Sequence, residues 1–138
     1  MVDYTALLTA AMTARERAYV PYSHFKVGAA LLTTSGTVFP GCNIENAAYP
    51  VCLCAERAAF AGAWSQGEHE FVALAVIADT DAPVSPCGMC RQFLFELAPD
   101  LPVLLANLAG DTRHTTPREL LPGGFTKADV LKELDKEE

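Results

Sequence analysis

Residues 71–78 read Phe-Val-Ala-Leu-Ala-Val-Ile-Ala, an apolar run with no polar side. A strand with one wet face alternates between apolar and polar residues, so a run this uniform predicts a strand covered on both faces at the centre of a sheet. Helices must then be available on either side, and the rest of the chain offers them. Over 3–19, Leu7, Leu8, Ala11, Met12, Arg15 and Ala18 recur at helical spacing, and Pro21 closes the segment. The Ala-rich stretch 54–65 and the stretch 88–98, which stops before Pro99, predict two more helices. Further strands are predicted over 25–32, from Thr37 onward, over 102–106 and, as a short fifth, over 113–115. Ser35-Gly36 reads as a two-residue hairpin turn between the first two. Thr116-Pro117 starts a short helix, and a last one is predicted over 126–134 with Thr126 as N-cap and Asp129 three residues on. The alternation defines an α/β fold: one layered domain over 1–138, with a mixed five-stranded sheet and helices on both faces.

At 138 residues such a domain buries about two-thirds of its unfolded surface. An apolar content of 51% and a mean hydropathy of +0.18 are high for so small a chain, which predicts a large core or a surface covered by other subunits. A net charge of −7 and a pI near 4.9 argue against a nucleic-acid partner, since no basic, aromatic-interleaved face is available. No secretory h-region and no membrane-length apolar run is visible, so the expected location is the cytoplasm, with no membrane association. Thiols stay reduced there, and five cysteines (42, 52, 54, 87 and 90) suit metal or catalytic use better than disulfides. The charged end, 132–138, reads as solvated.

Two of the cysteine segments lie about thirty residues apart: Cys54-Ala55-Glu56-Arg57 and Pro86-Cys87-Gly88-Met89-Cys90-Arg91-Gln92. Both open a predicted helix, where unpaired N–H groups and the helix dipole favour thiolates, and Cys87 and Cys90 stand at i, i+3, so that both sulfurs can face one point. Three thiolates without an obvious fourth ligand are the set of a catalytic zinc, whose remaining position takes a water. Glu56, two residues from a ligand, is placed to move that water's protons. Three thiolates carry one negative charge too many for a divalent ion, and Arg57 offers a hydrogen bond to offset it. Taken alone, Cys87-x-x-Cys90 also suits a redox dithiol or half of a structural zinc knuckle. The first has no use for a third thiol and a carboxylate. The second would need Cys42 or Cys52 as fourth ligand, and Cys52 reads as a small buried apolar residue. His24, His69 and His114 are isolated and read as surface or loop residues.

The chain resembles the cytidine deaminase family, specifically its small free-nucleoside enzymes. The likeness runs through Pro21–Ala30 (PYSHFKVGAA), Gly41–Tyr49 (GCNIENAAY), the two cysteine segments and Leu120–Phe125 (LLPGGF). It implies a three-layer α-β-α domain that hydrolyses cytidine and 2′-deoxycytidine to uridine and 2′-deoxyuridine in pyrimidine salvage, by attack of zinc-activated hydroxide at C4. By resemblance, Cys54, Cys87 and Cys90 hold Zn²⁺, Glu56 shuttles protons, Arg57 neutralises thiolate charge, and the Ala55 N–H meets the pyrimidine oxygen. Phe25 lies against the base, with a buried strand aromatic as the competing reading. Asn43 and Glu45 resemble the ribose-binding pair; two residues apart in extended chain, they point the same way. The alternative is a pair of polar loop residues capping backbone. Phe125 resembles a phenylalanine that closes a neighbouring subunit's pocket, which implies a homotetramer with shared active sites. Ala48 and Pro50 depart from the family's common serine and glycine without removing a group the chemistry needs. Deaminases of other aminated bases or nucleoside analogues, such as blasticidin, share the zinc motifs; the Asn43/Glu45 pair and Phe125 favour a nucleoside.

Overall fold

The computed structural model describes residues 1–134. The run at 71–78 forms β3 (Phe71–Ala78), third in a five-stranded sheet. Before it come α1 (Tyr4–Arg15), β1 (Val27–Thr33), β2 (Val38–Cys42) and α2 (Ala55–Ser65). After it come α3 (Gly88–Leu97), β4 (Val103–Asn107), β5 (Thr112–Thr115), α4 (Pro117–Leu120) and α5 (Lys127–Leu134). The strand order is β2-β1-β3-β4-β5, with β3 and β4 parallel and the other pairs antiparallel.

Both faces of β3 are covered, as its composition demands. Leu74 and Val76 point to one face and join Ala59, Phe60, Ala63 and Leu94 from α2 and α3. Ala73, Ala75 and Ile77 point to the other, where Leu7 and Ala11 of α1 pack over them. Phe60 is fully buried between Phe71 and Phe93, and sequestering one such side chain is worth roughly 1.5–3 kcal/mol.

Two glycines let the helices sit close. A side chain at Gly28 would strike the Ala11 carbonyl oxygen in α1. One at Gly41 of β2 would strike the Ala55 carbonyl oxygen and the Ala59 backbone in α2. The first turn of α2 therefore lies directly on the sheet backbone.

Several elements differ in extent from the sequence expectation, for local reasons. α1 ends at Arg15 rather than at 19, because the Tyr19 N–H is taken by the Asn43 carbonyl and the Tyr19 carbonyl by the Glu45 N–H. β1 starts at Val27, leaving Phe25 in the preceding loop, its N–H bonded to the Ser23 hydroxyl. The β1–β2 hairpin closes at Thr33 and Thr37 over a three-residue loop, with Gly36 at φ +88° after a turn from the Thr33 carbonyl. Pro50 sits in a single 3₁₀ turn, Tyr49–Val51, just ahead of α2. At the last helix the expected cap forms reciprocally: the Thr126 hydroxyl accepts from the Asp129 N–H, and the Asp129 carboxylate accepts from the Thr126 N–H. Most of the end read as solvated, residues 135–138, lies outside the described residues.

Candidate active site

α2 and α3 pack on the same face of the sheet, and their N-termini meet near the start of β1 and the end of β3, where Val27 pairs with Ala78. Cys54 is the N-cap residue of α2 and Cys87 that of α3, both with extended backbone. The Cys87 sulfur accepts the Cys90 N–H at 3.5 Å, which folds the i, i+3 pair onto one side of the turn. The Sγ atoms of Cys54, Cys87 and Cys90 lie within 4.8 Å of one another, and those of Cys54 and Cys87 are 3.7 Å apart. Zinc–sulfur bonds of about 2.3 Å in a tetrahedron put sulfurs about 3.8 Å apart, so this set fits the ion. Among the described residues no fourth Cys, His, Asp or Glu joins the group.

The electrostatics around the sulfurs are uneven. Hydrogen bonding from Cys90 and then from Arg57 brings the Cys54 thiol down to about 5, while the same bond with Cys54, with burial, pushes Cys90 up. One thiolate thus forms readily, and an ion that takes the set displaces the remaining protons. The Arg57 Nη2 donates to the Cys54 sulfur at 3.3 Å and to the Cys52 carbonyl at 3.5 Å. This bond raises the already high pKa of Arg57. Cys52, expected to be buried, is only half-buried and exchanges hydrogen bonds with the Asn46 backbone instead of joining the cluster.

Glu56, in the first turn of α2, is 4% exposed. Burial pushes its carboxyl up, and this matters for a group meant to hold and release a proton near neutrality. It lines a cavity of about 180 Å³ together with Cys54, Cys87 and Ala55. Ala55 is the first residue of α2, so its N–H has no acceptor within the helix. Across the cavity stand Phe25, Val27 and Asn43, and the remaining wall is Val84 and Ser85.

Phe25 remains 42% exposed, a placement that suits stacking and argues against the core reading. Asn43 and Glu45 do turn to the same side, toward the loop before β1. Asn43 accepts the Val27 N–H at 2.9 Å and donates to the Phe25 carbonyl at 2.7 Å. Glu45 accepts from the Tyr22 and Ser23 N–H groups and the Ser23 hydroxyl, which holds its carboxylate below the usual range. Both therefore brace the loop that carries Phe25. Each keeps unused capacity: one amide hydrogen on Asn43 and a lone pair on the outer oxygen of Glu45. Phe125 does not reach this cavity; it is 62% exposed, its carbonyl held by Gln92 Nε2 at 2.9 Å. His24, His69 and His114 are all exposed and away from the sulfurs. Val27, Val84 and Ser85 also line the cavity, with no sequence signal except that Ser85-Pro86 directly precedes Cys87 of the sulfur cluster.

Three sulfurs that could hold a metal ion, beside a buried carboxylate, are the equipment of a metal-dependent hydrolase. The family described as "Cytidine and deoxycytidylate deaminase zinc-binding region" matches residues 1–105. A cytidine deaminase of Sporosarcina psychrophila is 55% identical over 130 residues, covering 94% of this chain and 96% of its own. The crystal structure of cytidine deaminase from Burkholderia pseudomallei superposes with a TM-score of 0.87 at 52% identity, over 91% of this chain and 100% of that one. Further off, a blasticidin-S deaminase of Bacillus cereus is 35% identical over 109 residues, 73% of this chain and 77% of its own. The chain belongs to the cytidine and deoxycytidylate deaminase family of zinc-dependent hydrolases. Its α/β sheet is that family's fold. Among the described residues no helix is long and apolar enough to cross a membrane.

Proposed function

We propose that this chain, acting as one domain over residues 1–138, hydrolyses cytidine and 2′-deoxycytidine to the corresponding uridines and ammonia, in the cytoplasm. The observation that carries the reading is a cluster of three thiols, two of which, Cys54 and Cys87, share one cavity with a buried carboxylate and an exposed aromatic ring. Cys54, Cys87 and Cys90 would hold a zinc ion, which would supply the Lewis acidity that brings water close to ionisation at neutral pH. The protein's own part is to move protons. Water adds at C4 and gives up its proton to Glu56, which passes it to ring N3. Glu56 then takes the second proton from the new C4 hydroxyl and delivers it to the amino group, and the C4–N bond breaks to release ammonia. Phe25 offers a face to the base, and the Ala55 N–H a donor to the pyrimidine oxygen. The spare hydrogen-bonding capacity of Asn43 and Glu45 supports a role in holding a ribose hydroxyl.

Two features of the single chain support an assembly. The cavity of the single chain, at about 180 Å³, is smaller than the roughly 300–1,000 Å³ of enclosed small-molecule sites, which supports completion by a further segment. Tyr22, Ile44, Tyr49 and Val51 all remain at least 44% exposed, apolar surface suited to a second copy. The reading is a homotetramer in which Phe125 of one subunit completes the pocket of another.

Adding the purified protein to cytidine should give the ultraviolet change of cytosine becoming uracil, with ammonia released in equal amount. A strong chelator should abolish the change, and zinc should restore it. Zinc-loaded protein that leaves cytidine unchanged would sink the assignment and favour a structural zinc module.

Arg57 supplies charge to the sulfurs rather than a proton to the substrate. Arg57→Gln is expected to lower turnover roughly ten-fold, about the worth of one charge-assisted hydrogen bond, while zinc stays near one per chain. Unchanged turnover with zinc bound would leave Arg57 a purely structural residue.

A further inference from the structure

Arg91 follows the ligand Cys90 directly and has no part in the reaction as derived above. Its guanidinium is divided among three acceptors. Nε donates to the Pro86 carbonyl at 2.8 Å, Nη2 to the Ser85 hydroxyl at 2.6 Å, and Nη1 to the Leu120 carbonyl at 2.9 Å. Among the described residues no other hydrogen bond holds Ser85 or Pro86. Yet Ser85 lines the cavity, and Pro86 leads straight into Cys87. The next residue, Gln92, holds the Phe125 carbonyl. The first turn of α3 thus grips two segments at once: the wall at 85–86 and the C-terminal stretch that ends in Phe125.

We propose that Arg91 is a positioning residue for the deamination, fixing the Ser85–Pro86 wall against α3 and tying it to the segment 120–125. The inference rests on the deaminase reading for the substrate that this wall confines. The fork is what matters: three acceptors set in different directions need the planar, rigid donor array of arginine, and a lysine ammonium can satisfy only part of it. Arg91 touches neither substrate nor metal in this role. It acts by keeping one side of the cavity where the base must lie, and small displacements of a positioned reactant are costly in rate.

The test compares wild type, Arg91→Lys, Ser85→Ala and the double variant by steady-state kinetics on cytidine, zinc content and thermal unfolding. Arg91→Lys should keep zinc near one per chain and unfold cooperatively, yet show about a ten-fold lower kcat/KM. Because Arg91 and Ser85 are direct hydrogen-bond partners, the double variant should lose less than the product of the two single losses. A kcat/KM per bound zinc within two-fold of wild type in Arg91→Lys, or losses that simply multiply, would overturn the proposal. So would an Arg91→Lys chain that cannot hold zinc or unfolds without cooperativity, since that reports a framework role. A wild-type protein that holds zinc but leaves cytidine untouched would instead remove the deaminase reading, and this inference with it.

Discussion

The Glu56→Ala chain should bind zinc at close to one per chain, unfold like wild type and turn cytidine over at least 10²–10⁴-fold more slowly, with about that loss expected for one general acid–base group. The carboxylate ligates nothing in the three-sulfur set, so the metal has no reason to leave. In the proposed reaction it carries protons at four points (from water, to N3, from the C4 hydroxyl and to the departing amine), which puts the loss at the upper end or beyond. Stability should change little, because removing a carboxylate that burial already disfavours relieves a desolvation cost while opening a small gap. Measured zinc content, a melting curve and the initial rate decide it together. A variant retaining a tenth of wild-type activity would show that another group moves the protons.

The second large effect concerns Phe125. By analogy with single-strand stacking sites, an aromatic face over a bound base is worth roughly 1–3 kcal/mol, so Phe125→Ala should weaken cytidine binding about 5- to 150-fold. The sharper readout is complementation. In a tetramer assembled from Phe125→Ala and Glu56→Ala chains, some pockets combine an intact Glu56 from one chain with an intact Phe125 from another. Once subunit exchange is verified with tagged chains, activity should rise above that of the Phe125→Ala subunits alone. A fully active monomer in sedimentation, or exchanged tetramers with no recovery, would refute the shared pocket.

Features governed by short stretches of chain were readable before any coordinates. β3 was legible because every residue in it is apolar, and the cap at Thr126 because both partners lie within one helical turn. The cluster of three sulfurs was legible too, since a redox dithiol at Cys87 and Cys90 has no use for the third thiol and the carboxylate of Cys54-Ala55-Glu56. What escaped was set by partners distant along the chain. The periodic pattern of α1 continues past Arg15, but Tyr19 is captured by the backbone at 43–45. Phe25 reads as part of a strand until Ser23 and Asn43 hold its backbone in a loop. That Asn43 and Glu45 would brace this loop was one of two open readings, and only the fold shows the bonds. The Arg91 fork was invisible for the same reason, its acceptors being a proline carbonyl, a serine hydroxyl and a leucine carbonyl near residue 120.

The contact of Gly41 with the backbone of α2 bears on how such a site can be re-engineered. Position 41 does not line the cavity, yet any larger residue there must lever the helix away from the sheet and carry Cys54 and Glu56 with it. In a randomised library this position would therefore act as a filter on the whole metal site, whichever nucleoside is used for selection. Diversity aimed at new substrates belongs instead at positions such as Phe25, which lines the cavity from the exposed loop before β1 and lies outside α2.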